Sequence, residues 1–329
     1  MAPPRRLTLD VDLATAEEIL RRWDIPSTPA RIGRLEGGST EVYRIDLDEA
    51  DAAPLVLKIY PDEPDWRPGK ERLVADWLHR APEIPAPGCL ALDTSRDLLP
   101  LRFALMTVLP GTMVRSWMTT TNVDQVYRQA GALLRQMHAI RMPSYGYIKD
   151  QGIEKPMASN REHMAYAFEG AFRRFREAGG DEELARQLEA LAAANMDLTD
   201  SRGPVLCHDD LHQGNVLVER QPDGELCVSG LVDFGNARAA DPLFDLAKAI
   251  FCSSHEDPRA ARPLLEGYGE LDHPDAEAAL QLYTLHHRVS MWAFLTRLGR
   301  DPSALDGPGG LIRDLNEMAR CGLDKVQPE

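Results

Sequence analysis

The sequence predicts an α+β protein in two parts, a strand-rich N-terminal part followed by a larger helical one, and three observations carry that expectation. Short apolar runs separated by Gly, Pro and acidic turn residues dominate the chain up to residue 111. Apolar stripes at helical spacing dominate after it. One strand pair, in "VLCHDDLHQGNVLVE" and "ELCVSGLVDFG", is embedded among those helices. Strands grouped ahead of helices favour α+β over alternating βαβ units. With 329 residues, 43% of them hydrophobic, the chain is long enough to bury two cores. We expect an N-terminal part over 1–107, a hinge over 108–111 and a C-terminal part over 112–329.

Taken in order, "TAEEILRRW" has Thr15 followed three residues later by Glu18, a capping-box pattern that predicts a short helix with Ile19, Leu20 and Trp23 on one side. "RIGRLEGGSTEVYRIDL" reads as strand, Gly-rich turn and strand, and "APLVLKIY" as a third strand of the meander. "KERLVADWLHR" spaces Leu73, Trp77 and Leu78 for a helix, which the Pro-rich "APEIPAPG" stops. "LRFALMTVLPG" is a buried strand. Beyond residue 111, "VDQVYRQAGALLRQMHAI" carries an apolar stripe through Val126, Ala130, Leu133, Leu134 and Met137, and a polar loop is expected around 141–160. The aromatic-rich "EHMAYAFEGAFRRFREAG" and the segments after residue 241 read as further helices. No internal repeat or low-complexity tract stands out.

The bulk numbers exclude several classes. No stretch reaches the eighteen or so apolar residues of a membrane span, and the N-terminus lacks the apolar core of a signal peptide. Five cysteines without a CxxC pair favour a reducing compartment, the cytoplasm, and disfavour a zinc site. A formal net charge of −15 disfavours nucleic acid and anionic membranes as partners while permitting a cationic ligand.

Four features then have the residue types that phosphoryl transfer from ATP requires, a reaction that depends on charge neutralisation and positioning. Gly37, Gly38, Ser39 and Thr40 lie between two strands, where a bare backbone could approach phosphates or merely close a hairpin. Lys58 stands in an apolar strand and needs a charged partner unless it faces solvent; Glu71 on the next helix can supply one. In "HDDLHQGN", Asn215 follows Asp210 by five residues and His208 precedes it by two, pairing a carboxylate able to take a hydroxyl proton with an amide oxygen suited to Mg²⁺. Asp233, in "VDFG", ends an apolar strand, and the hairpin turning at Pro222-Asp223-Gly224 is expected to bring it to the same edge as Asn215.

Through "EGGSTEVYRI", "LVLKIY", "KERLVADWL", "ALMTVLPGT", "HDDLHQGN" and "VDFGNARAADPLFDLA" the chain resembles the aminoglycoside phosphotransferases and their choline-kinase-like relatives, from about Arg31 to Ile250. The resemblance implies the protein-kinase-like two-lobed fold, with 1–107 as the nucleotide-binding lobe, ATP and Mg²⁺ as cofactors, and a small hydroxylated molecule as acceptor. By it, Lys58 would hold the ATP phosphates, Glu71 would hold Lys58, and the backbone of Thr107, Val108 and Leu109 would take the adenine edge. Asp210 would be the catalytic base, Asn215 and Asp233 the magnesium ligands, Asp245 the brace of the catalytic loop and His208 its support. Many members carry Gly where this chain has Asp209. Spacing to Asn215 favours Asp210 as the base, and an extended backbone would turn the two carboxylates to opposite sides, leaving Asp209 structural.

An aminoglycoside-type antibiotic is the favoured acceptor, with Glu154, Glu162, Glu169, Glu256 and Asp257 as acidic candidates for a cation. Alternatives are a metabolite kinase acting on choline, homoserine, methylthioribose or a ketosamine, and a non-catalytic nucleotide-binding relative. A protein kinase is disfavoured because Asp245 follows Gly235 by only ten residues, too few for an activation loop. His286 and His287 are adjacent on a helix and diverge too far to share a metal. Cys207 reads as a small buried residue.

Overall fold

The computed structural model describes residues 9–35, 40–49, 52–120, 122–300 and 308–323. The chain forms two compact units, one built from the chain up to Gly111 with Ile148–Gly152 and Ser229–Gly235, the other from Thr112–Tyr147, Ile153–Val228 and the chain from Asn236 on.

The first unit holds α1 (Leu13–Arg22), β1 (Pro29–Leu35), β2 (Glu41–Leu47), β3 (Leu55–Ile59), α2 (Arg67–Leu78), β4 (Cys89–Asp93) and β5 (Phe103–Thr107). The strands form one antiparallel sheet in the order β1-β2-β3-β5-β4. Strand alternation decides the placement of Lys58. Leu55, Leu57 and Ile59 bury with Ile45, Phe103 and Leu105 on the face that Ile19 and Leu20 of α1 cover. Lys58, between Leu57 and Ile59, therefore turns to the opposite face. The α1 cap differs from expectation: Asp12 is the N-cap, its side chain accepting from the Thr15 amide at 2.8 Å, while Glu18 pairs with Arg21. Asp12 starts the helix ahead of Thr15, so the Ser/Thr-x-x-Glu pattern falls inside it. β4, hidden behind the Pro-rich loop, went unpredicted.

The second unit adds β6 (Thr112–Met113), α3 (Val123–Met137), β7 (Tyr145–Lys149), β8 (Gly152–Met157), α4 (Asn160–Glu177), α5 (Glu182–Ala194), β9 (Val205–Cys207), β10 (Val216–Arg220), β11 (Leu226–Leu231), β12 (Arg238–Ala240), α6 (Pro242–Glu256), α7 (Ala261–Tyr268), α8 (Ala276–Arg297) and α9 (Pro308–Cys321), with the ends of β7 and β11 and the first residue of β8 belonging to the first unit. α3 and α7 touch backbone to backbone: a Cβ on Gly131 would lie 2.2 Å from the Leu264 carbonyl oxygen. The segment 141–160 is not simply a polar loop, because β7 and β8 lie within it. β7 pairs with β12, ninety or so residues away, in a sheet ordered β8-β7-β12-β9. A second small sheet runs β11-β10-β6, and Gly224 at φ 91° closes the predicted β10–β11 turn. Among the described residues no helix is long and apolar enough to cross a membrane.

Candidate active site

In the first unit β3 and α2 build a cluster of alternating charge. Lys58 Nζ lies 2.7 Å from Glu71 Oε2 and 3.2 Å from Asp233 Oδ1. The Tyr60 hydroxyl also donates to Glu71 Oε2, at 3.1 Å. Burial disfavours the Lys58 charge, but Glu71 and Asp233 outweigh it and hold the ammonium above the usual lysine range. Arg67, one helical turn before Glu71, places its guanidinium 3.6 Å from Glu71 Oε1 and 3.9 Å from Asp233 Oδ1. Sequence reasoning missed Arg67 and Tyr60; the four-residue spacing from Arg67 to Glu71 was the available signal. Asp233 has a left-handed backbone, φ 62°, and a side chain 36% exposed, so its carboxylate is reachable from solvent.

The remaining nucleotide-site candidates are placed unevenly. Thr40 stands just ahead of β2, whereas Gly37, Gly38 and Ser39 lie outside the described residues. At the end of β5 the Thr107 amide donates to the Gly88 carbonyl at 2.9 Å and its hydroxyl accepts from the Gly88 amide at 2.8 Å. Val108 and Leu109 continue that segment, half-buried, with Leu109 packed over Gly230.

In the second unit the segment after β9 is pinned from below. Asp245, fully buried near the start of α6, accepts from the His208 amide at 2.6 Å and the Asp209 amide at 2.7 Å. His138 Nε2 holds the same carboxylate at 3.0 Å, and its Nδ1 meets the Tyr268 hydroxyl at 2.8 Å. His208 is itself fully buried. His138, Cys207 and Asp245 bring ligand-type atoms within 4.8 Å of one another, but the His138 and Asp245 atoms are engaged in pinning the loop and burial pushes the Cys207 thiol well up, which suits a structural cluster better than a metal centre.

The two adjacent aspartates take different surroundings. Asp209 has φ 54°, a left-handed conformation in which Asp is tolerated and Gly is unstrained. Its side chain, 2% exposed, forms an ion pair with Arg238 and lies 3.7 Å from Lys248 Nζ. Burial disfavours that carboxylate's charge, yet Arg238 and then Lys248 overcome it and hold the group below the usual carboxylate range. The Asp210 side chain is 26% exposed; its Oδ1 lies 3.7 Å from the same Lys248 Nζ, and its Oδ2 accepts from Asn236 Nδ2 at 3.0 Å. The expectation that extended backbone turns these side chains to opposite sides is therefore corrected. The backbone is left-handed at Asp209, so both carboxylates reach one ammonium. Asn215 donates from Nδ2 to the Asp210 carbonyl at 2.8 Å, which leaves its oxygen as the end suited to a hard cation. Lys248, Asn236, Arg238 and His138 were missed, and no local pattern marks them.

Two of the acidic candidates for a cationic acceptor are already paired. Glu256 receives both Arg115 Nε and Nη2, at 2.9 and 2.5 Å. Asp257 is buried, bonded to Arg259 and to the Tyr127 hydroxyl. Glu154, Glu162 and Glu169 are exposed.

Residues 31–283 match the model of the family described as "Phosphotransferase enzyme family". The chain belongs to that family. As a phosphotransferase it has the fold of the aminoglycoside phosphotransferases, the kinase-like α+β class expected. The crystal structure of aminoglycoside phosphotransferase APH(4)-Ia is similar to it at 16% identity and a TM-score of 0.70, over 94% of this chain and 99% of that one. A thermostable mutant of the same enzyme, in a ternary complex with ADP and hygromycin B, gives 16% identity and 0.69 over the same shares. The GDP and kanamycin complex of APH(2")-IIIa gives 16% and 0.63, over 94% and 100%. No curated protein matches the sequence.

Proposed function

We propose that this phosphotransferase moves the γ-phosphoryl group of ATP to a hydroxyl of a small molecule, with Asp210 as the base. The observation that carries the assignment is the contrast in the loop: Asp209 is sealed inside by two cations, whereas Asp210 is open to solvent and held at both oxygens. On this reading Asp210 orients the acceptor hydroxyl and takes its proton as the oxygen–phosphorus bond forms and the bond from the γ-phosphorus to the bridging oxygen breaks, leaving ADP. Lys58, held by Glu71, binds phosphate oxygens beside Thr40, and the Thr107–Leu109 backbone takes the adenine edge. Asn215 and Asp233 are hard oxygen donors fitted to Mg²⁺, which supplies charge neutralisation on the phosphates when bound. Asp245 and His208 keep the loop in register.

For the acceptor we favour an aminoglycoside-type antibiotic, supported by the family, by the hygromycin B and kanamycin bound to similar structures, and by the net charge of −15. The pairing of Glu256 and Asp257 favours the second reading, an ordinary hydroxylated metabolite such as choline, homoserine, methylthioribose or a ketosamine. The test is ATP consumption with product mass across aminoglycosides, other cationic antibiotics and these metabolites, using the parent and Asp210→Asn. One phosphoryl group gained on a cationic antibiotic, and a loss of about 10²- to 10⁴-fold in the variant with nucleotide binding retained, is expected. Transfer to uncharged compounds alone would remove the antibiotic; a fully active Asp210→Asn would remove the base.

A further inference from the structure

The second unit contains a buried cation that the reaction outlined above does not use. Lys248 lies one turn beyond Asp245 on α6, so the helix face that pins the loop backbone also presents this ammonium to the loop's side chains. Its nitrogen lies 3.7 Å from Asp209 Oδ1 and 3.7 Å from Asp210 Oδ1. The side chain is 15% exposed, and a buried ammonium needs carboxylate partners. Arg238 takes the other oxygen of Asp209, and Asn236 takes the other oxygen of Asp210. Two cations thus face two carboxylates, and the cluster is neutral while Asp210 is ionised. With Gly in place of Asp209, Arg238 would lose the carboxylate of its ion pair and Lys248 would keep only Asp210. Asp209 matches this chain's own pair of buried cations.

We propose that Lys248 is a positioning residue for the base: anchored on Asp209, its ammonium fixes the Asp210 carboxylate in the orientation that receives the acceptor hydroxyl, and Asp209 acts through Lys248 without touching the acceptor. This rests on the assignment of Asp210 as the base. Once Asp210 has taken the hydroxyl proton, the cluster carries one net positive charge beside the transferring phosphoryl group, which favours the products of the step.

Two measurements on the full chain test it. In a sample with ¹⁵N-labelled lysine, the ammonium resonance assigned by its loss in Lys248→Met should move in both Asp209→Asn and Asp210→Asn. A resonance that responds to Asp209→Asn alone would overturn the proposal, whether or not the protein turns over. The kinetic arm follows phosphate release from MgATP with water as acceptor, and transfer to kanamycin as probe. Lys248→Met should lower kcat about 10- to 100-fold, a part of the 10²–10⁴ a general base supplies, with KM for ATP changed less than about threefold. Lys248→Arg should recover most of the loss. If parent protein turns over and Asp210→Asn abolishes this while Lys248→Met keeps parental kcat, the positioning role fails and the base assignment stands. If the parent shows no turnover with any acceptor, the functional reading fails and the resonance arm alone decides the placement of Lys248.

Discussion

At the scale of single residues, Asp209 sets a backbone preference against a charge requirement. Its φ of 54° costs an L-residue about 1–2 kcal/mol, which Asp209→Gly would relieve. The same change would leave Arg238 and Lys248, both largely buried, with one carboxylate fewer, and stripping one partner from a buried ion pair typically costs about 3–5 kcal/mol. The charge term wins. We expect Asp209→Gly to be less stable than the parent by a few kcal/mol in equilibrium urea unfolding; a variant as stable as the parent would show that the counter-charge is dispensable. The spacing to Asn215 singled out Asp210 over Asp209, but the partners of Asp209 were not legible, since Arg238 and Lys248 lie about thirty and forty residues downstream.

At the scale of elements, α4 and α8 carry three histidines into the core of the second unit. Burial pushes His163 down to about 4 and holds His286 and His287 well below the usual imidazole range. His163 stacks near Tyr145, and His287 meets the Phe244 carbonyl at 2.9 Å. Because these folded values lie below the unfolded value of about 6.5, the unfolded chain binds more protons in the interval, so their contribution is fully present above about pH 6.5 and is lost as pH falls toward 4. Each histidine contributes at most about 1.4 kcal/mol per pH unit. The urea midpoint should therefore drop between pH 7 and pH 5, and drop less in a folded His163→Gln variant. A midpoint constant to pH 5 would contradict the burial argument. The helices themselves were legible from their apolar stripes, whereas the β7–β8 pair was not, because its partner β12 is remote in sequence.

At the scale of the whole molecule, a net charge of −15 makes a prediction about encounter that does not depend on any one pocket residue. If a polycationic aminoglycoside is the acceptor, its kcat/KM should fall several-fold as salt rises from about 0.05 to 0.5 M, where screening shortens to a few ångströms. The KM for ATP should not improve in parallel by the same mechanism. Steady-state kinetics at several salt concentrations decides it, and a salt-independent kcat/KM would place the acceptor outside the polycations.

The sequence by itself determined the fold class and the order of the motifs, and it marked out the residues proposed to carry phosphoryl transfer, because apolar periodicity and short motifs such as "HDDLHQGN" and "VDFG" are local properties of the chain. It also paired Lys58 with Glu71, since one strand and the next helix suffice to bring them together. Only the tertiary structure decided which groups surround those motifs. The left-handed turn at Asp209, the meeting of its buried carboxylate and the part-exposed Asp210 carboxylate at Lys248, and the capture of Glu256 by Arg115 all depend on side chains delivered from distant segments. Charge partners are selected by distance in space, and a linear pattern does not encode that distance until the chain has packed.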